Sequence, residues 1–175
     1  MMEEIVVNQD QNQVLNQSEA ENTADALRTE NQFKNGANWF YWIAGLSVIN
    51  SLVIMFGGEI SFIVGLGITQ IVDAIAWELK NTEGMNLDYI LFVVSLFISG
   101  VFAIFGYFSR KRMIGVYVTG MILYALDGLI FFLVADWLSI GFHVFVLYSL
   151  FGGLKALKSL NDTQKPEYSM NRPIA

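Results

Sequence analysis

Apolar residues run along this chain in five stretches, at 37–57, 60–77, 88–109, 113–134 and 137–155, and the charged residues collect in the breaks between them. A helix rises about 1.5 Å per residue and a bilayer's hydrocarbon core is roughly 30 Å thick, so about 20 apolar residues make one crossing. A soluble helix of this length would carry polar residues at every turn to keep one face in water. The pattern predicts an all-α, polytopic transmembrane bundle of five spans over residues 36–160.

The second stretch is the weakest. Gly65, Gly67, Thr69, Gln70 and Asp73 dilute it, and Gly57-Gly58-Glu59 leaves a tight turn before it. The alternative is four spans plus one re-entrant helix, shielded by its neighbours because backbone polar groups at membrane depth need internal partners.

Basic residues near span ends favour the cytoplasmic side. Arg110, Lys111 and Arg112 put the third-to-fourth connection inside, and Lys155, Lys158, Lys165 and Arg172 bring the C-terminus inside. The fourth-to-fifth turn holds Asp136 and falls outside. Five full spans place the N-terminus outside. A re-entrant second segment places it inside, together with Arg28 and Lys34.

The flanks have a different character. Residues 1–35 hold seven acidic residues against Arg28 and Lys34 and are rich in Asn and Gln, a composition expected to be disordered. Within them, Ser18 and Glu21 have the spacing of a capping box, which would open a short helix. The tail has neither the basic start nor the hydrophobic stretch of a signal peptide, so the first span is expected to direct insertion. Residues 152–160 read as an amphipathic extension that turns its lysines toward headgroups, and residues 161–175 as a second disordered tail.

Composition narrows the chemistry. Hydrophobic residues make up 54% of the chain and mean hydropathy is +0.48, above the range of soluble domains. The absence of cysteine removes thiolate chemistry, and one histidine removes a multi-histidine zinc site. No cofactor is expected. An acidic tail speaks against nucleic acid, leaving the lipid bilayer, other membrane proteins or self-association as partners.

Three ionisable residues lie inside apolar stretches: Asp73, Asp127 and His143. A charge in hydrocarbon is costly unless it is paired, neutral or turned into the bundle, so such residues mark a site by default. With Asn50 they fall in one half of the bilayer in the five-span arrangement. Asp127 and His143, on adjacent antiparallel helices, form either a proton- or cation-handling pair or an interhelical packing bond. Asp73 and Asp127 also sit in similar short sequences, Ile71–Ile75 and Ala125–Leu129, which a two-helix repeat would explain. Small residues share one face at Ala44, Ser47 and Ser51, at Gly65, Thr69, Asp73 and Ala76, and at Ser95, Ser99, Ala103 and Gly106. Such stripes let helices approach closely.

Ser99-Gly100 together with His143 resembles the serine–histidine pairing of the rhomboid intramembrane proteases, although Phe97 stands where that family carries glycine and the spans are too few. The resemblance implies an intramembrane hydrolase. The residues themselves point elsewhere. The expected protein is a small integral membrane protein of a prokaryotic inner membrane, non-catalytic, and a subunit or accessory of a larger assembly. A small proton-coupled transporter is the second expectation.

Overall fold

The structure, a computed structural model, describes residues 2–56, 65–83 and 88–170. Among them the chain forms six helices: α1 Met2–Met55, α2 Gly67–Glu83, α3 Asp88–Arg110, α4 Ile114–Gly128, α5 Ile130–Leu133 and α6 Trp137–Met170. There are no strands among the described residues. Four segments are long and apolar enough to cross a membrane: Asn12–Met55, Tyr89–Arg110, Ile114–Leu133 and Trp137–Thr163.

Residues 60–77, expected as a fifth span, do not form one continuous helix. Helix begins only at Gly67, and residues 57–64 lie outside the described residues. From Gly67 to Trp77, where charges resume at Glu78, is about 16 Å of helix, half of a hydrocarbon core.

The tails differ from expectation as well. Residues 2–35 are helical and continuous with the first span. This stretch has no proline, its first glycine is Gly36, and Gln, Glu, Ala and Leu favour helix. Tertiary contacts pin its distal end, where Phe33 is buried and Glu30 accepts from Arg112 Nη2 at 2.6 Å. Ser18 therefore sits inside a helix, its hydroxyl donating to the Leu15 carbonyl at 2.9 Å, and caps nothing. Helix α6 likewise continues to Met170.

These contacts fix which ends lie together. Besides Glu30, Arg112 engages α6, since Asn161 Nδ2 donates to its carbonyl at 3.4 Å. Residue 30, the α3–α4 turn and the distal part of α6 thus share one end of the bundle, which also holds Arg110 and Lys111 and is the basic end. Five alternating spans would have put residues 30 and 112 at opposite ends. The structure corrects that arrangement.

Helix α1 is central and packs chiefly on α3 and α6. Its contact with α6 is close because both surfaces lack side chains: a Cβ added to Gly36 would lie 2.6 Å from the Gly153 Cα. Tyr117 of α4 closes this crossing by donating to the Leu150 carbonyl at 3.0 Å. Phe40 meets the Tyr117 ring edge-on, with centroids 5.4 Å apart, and Phe102 does the same with Tyr124 at 6.4 Å. Aromatic pairs at these distances favour such edge-to-face contacts.

Burial along α3 inverts the soluble pattern. Ser95 and Ser99 are buried, whereas Phe97 is 74% and Val93 60% exposed. The serine stripe faces protein while Phe97 and Val93 face outward, the arrangement by which small residues bring helices together in lipid.

Candidate functional site

Helix α2 begins in the interior, and its opening residues explain the site. The first N–H groups of any helix have no partner within it, and they carry the positive end of its dipole. In α2 those groups belong to Gly67, which is buried, and Ile68. The side chain that satisfies them comes from another helix. Asp127 Oδ2 accepts from Gly67 N–H at 2.7 Å, and Oδ1 accepts from Ile68 N–H at 2.9 Å. One residue earlier, Leu66 N–H donates to Ser47 Oγ of α1 at 2.8 Å.

Asp127 is the penultimate residue of α4. A carboxylate there is opposed by the negative end of its own helix, and the amino end of α2 offsets this. His143 of α6 completes the arrangement, its Nε2 lying 3.2 Å from Asp127 Oδ2. The imidazole enters because Gly128 has no side chain: a Cβ there would stand 3.0 Å from His143 Cδ2. Tyr124 stacks on the ring at 4.4 Å with an interplanar angle of 13°, and Phe131 lies 5.0 Å from it.

Hydrogen-bond geometry constrains the two ring nitrogens differently. His143 Nδ1 faces the Ser139 carbonyl at 2.9 Å, which can only accept, so Nδ1 carries hydrogen. Nε2 faces a carboxyl oxygen. A bond there needs one further proton, held either on the ring or on the carboxyl group.

Asp73 has a separate environment. Its Oδ2 accepts from Ser51 of α1 at 2.7 Å and its Oδ1 from Ser95 of α3 at 3.0 Å. The four residues expected as one cluster thus divide. Asp127 and His143 are bonded to each other, whereas Asp73 lies six residues, about 9 Å, further along α2. Asn50 is fully buried, with its amide nitrogen 3.0 Å from where a Cβ on Gly65 would be. The two aspartates also do different work, one on backbone and one on hydroxyls, which gives the short sequence similarity no common structural role.

Serines were the missed members. Ser47, Ser51 and Ser95, expected in packing stripes, are donors and acceptors for α2 and its approach because they are buried beside it on α1 and α3. Ser99 does not face His143; its hydroxyl donates to Ser95 O on its own helix at 2.9 Å, and both His143 nitrogens are engaged elsewhere.

Comparison with known proteins returns no matching family model, no similar curated protein and no similar solved structure, so geometry and chemistry carry the functional reading.

Proposed function

We propose that this chain is an integral membrane protein of four spans with one half-helix, α2, that re-enters from the end opposite the basic residues, and that it acts as a non-catalytic accessory of a membrane assembly. The observation that carries this reading is the Asp127 carboxylate on the amino end of α2. Both oxygens of Asp127 and both of Asp73 are already engaged by protein donors. Each buried carboxylate fastens α2 to the spans around it. The basic end is the cytoplasmic one, since Arg28, Lys34, Arg110, Lys111, Lys155 and Lys158 gather toward it. Both termini then face the cytoplasm. The exposed arm of α1, residues 12–28, supplies a surface for a partner there.

A reporter fused to the N-terminus tests the topology, and a periplasmic readout sinks it. Asp127→Asn and His143→Ala are expected to lower thermal stability without changing proton flux in reconstituted vesicles.

One observation favours a second reading, proton coupling. Half-helices that end within the membrane are the elements transporters use to hold ions, and here one abuts the contact between His143 Nε2 and Asp127 Oδ2. Loss of proton flux in both variants at unchanged fold would establish it in place of the first.

A further inference from the structure

A trough of about 660 Å³ lies between α1 and α6 at the basic end. On α1 it is lined by Arg28, Asn31, Gln32, Asn35, Gly36 and Trp39, which recur at helical spacing along one face. On α6 its walls are Tyr148, Ser149, Phe151, Gly152 and Lys155. The two helices run antiparallel here, since Gln32 approaches Gly152 and Trp39 meets Phe145 at 5.5 Å. Along both walls the chemistry changes in the same direction. Arg28 and Lys155 stand at one end, carboxamides and the two glycines in the middle, and Trp39 and Tyr148 at the other.

We propose that this trough binds one anionic phospholipid, with its phosphate between Arg28 and Lys155 and an acyl chain running past Trp39 and Tyr148. The carboxamide N–H groups suit phosphate and ester oxygens, and among the described residues no carboxylate lines the trough. Arg28 has a carboxylate neighbour, Asp25 at 3.4 Å, but both side chains are largely exposed, at 82% and 75%, so this pair competes weakly. Glu30, the other nearby acid on α1, is engaged by Lys34 and Arg112. From Arg28 to Trp39 is about 16 Å along α1, enough to pass from the headgroup layer into the hydrocarbon. A soluble anion would use the cationic end alone; Tyr148, 78% exposed, and Phe151, 54% exposed, present an apolar continuation that suits an acyl chain.

The inference rests on the membrane-spanning reading, and Trp39 provides a test that separates the two. Trp42, Trp77 and Trp137 are exposed, so replacing them with Phe leaves Trp39 as sole reporter in the full chain. The protein is placed in phosphatidylcholine vesicles containing phosphatidylglycerol or phosphatidylcholine with brominated acyl chains, which quench tryptophan on contact. A surface cation contributes about 5-fold in partition to anionic lipid, so half-maximal quenching by phosphatidylglycerol is expected at roughly 25-fold lower mole fraction than by phosphatidylcholine. Arg28→Gln with Lys155→Gln brings the curves together, and Arg110→Gln with Lys111→Gln, the same charge change outside the trough, leaves them apart. Equal curves in the parent, an equal effect of the two double variants, or a preference surviving the first pair each overturn the proposal. So does loss of the preference in millimolar inorganic phosphate at constant ionic strength, which would assign the site to a soluble anion. A companion variant retaining Trp137 alone reports insertion. Failure of brominated phosphatidylcholine to quench it would reject the membrane reading itself.

Discussion

Asp127 and Gly67 are 60 residues apart in sequence, yet the carboxylate of one accepts the backbone N–H of the other at 2.7 Å. Asp127→Ala strands that N–H, the N–H of Ile68 and the His143 imidazole in the interior. The expected loss is about 3–5 kcal/mol, the range for breaking a buried charged contact. Asp127→Asn keeps an acceptor for one N–H and loses less, about 1–3 kcal/mol. Thermal unfolding of the purified protein in detergent orders the three forms, and equal stability of Asp127→Ala and wild type would remove the role assigned to this contact.

Glycine substitutions are expected to divide by location. Gly36→Ala places a methyl 2.6 Å from the Gly153 backbone, which forces α1 and α6 apart at a cost of about 1–3 kcal/mol or more. Gly45 has nothing within 4 Å of an added Cβ, so Gly45→Ala is neutral or stabilising by up to about 1 kcal/mol through helix propensity. The same unfolding assay reads both.

At the bundle's basic end, Glu30 and Arg112 are partly buried, at 25% and 31% side-chain exposure. A double-mutant cycle of Glu30→Gln and Arg112→Gln is expected to give a coupling of about 1 kcal/mol, reduced by added salt. A coupling of zero would mean that the Glu30–Arg112 pair does not hold α1 at this end.

Asp136 opens α6. Its Oδ2 accepts from the Ser139 hydroxyl at 2.6 Å, and its Oδ1 accepts the backbone N–H groups of Ser139 and Leu138 at 3.1 and 3.2 Å. These bonds, that from the Ser139 hydroxyl foremost, hold the carboxyl group below its ordinary value of 3.8. A depressed folded value stabilises the protein above the unfolded value, and the contribution disappears as pH falls through the lower, folded one. Asp136→Ala is therefore expected to cost about 1 kcal/mol at pH 7, with its deficit relative to wild type shrinking below the ordinary carboxylate range. Melting curves of both proteins across acid pH check the sign.

Ala135, just before that cap, has φ of 52°, in the left-handed region that costs a residue with a Cβ about 1–2 kcal/mol. Ala135→Gly is expected to raise stability by up to about 1 kcal/mol, a gain visible as a higher melting temperature.

Much of this fold was legible where it depends on periodicity. The stripes of Ser47 and Ser51, of Thr69 and Asp73, and of Ser95 and Ser99 are all buried, because small side chains let helices approach closely. The adjacency of Asp127 and His143 followed from two long helices joined by a short turn. What the residues did not disclose was the partner of Asp127, since a backbone N–H at Gly67 or Ile68 leaves no side-chain signal at all. The grouping of Asp73 with that pair assumes a full span, whereas α2 starts at Gly67 and Asp73 meets Ser51 and Ser95 instead. For the first 35 residues, few apolar residues argue against a packed core, but they do not prevent a helix that extends outward from a buried anchor such as Phe33.

Helix α1 is one rod of 54 residues, about 80 Å long, with no proline along it. Val14 and Leu15 project from its exposed arm, and Ser47 and Ser51, which hold the start and middle of α2, stand on the same shaft. The arm and the α2 fastening are thus parts of one helix, and between them Glu30 and Phe33 are gripped by the bundle, so the fastening is shielded from movement of the arm.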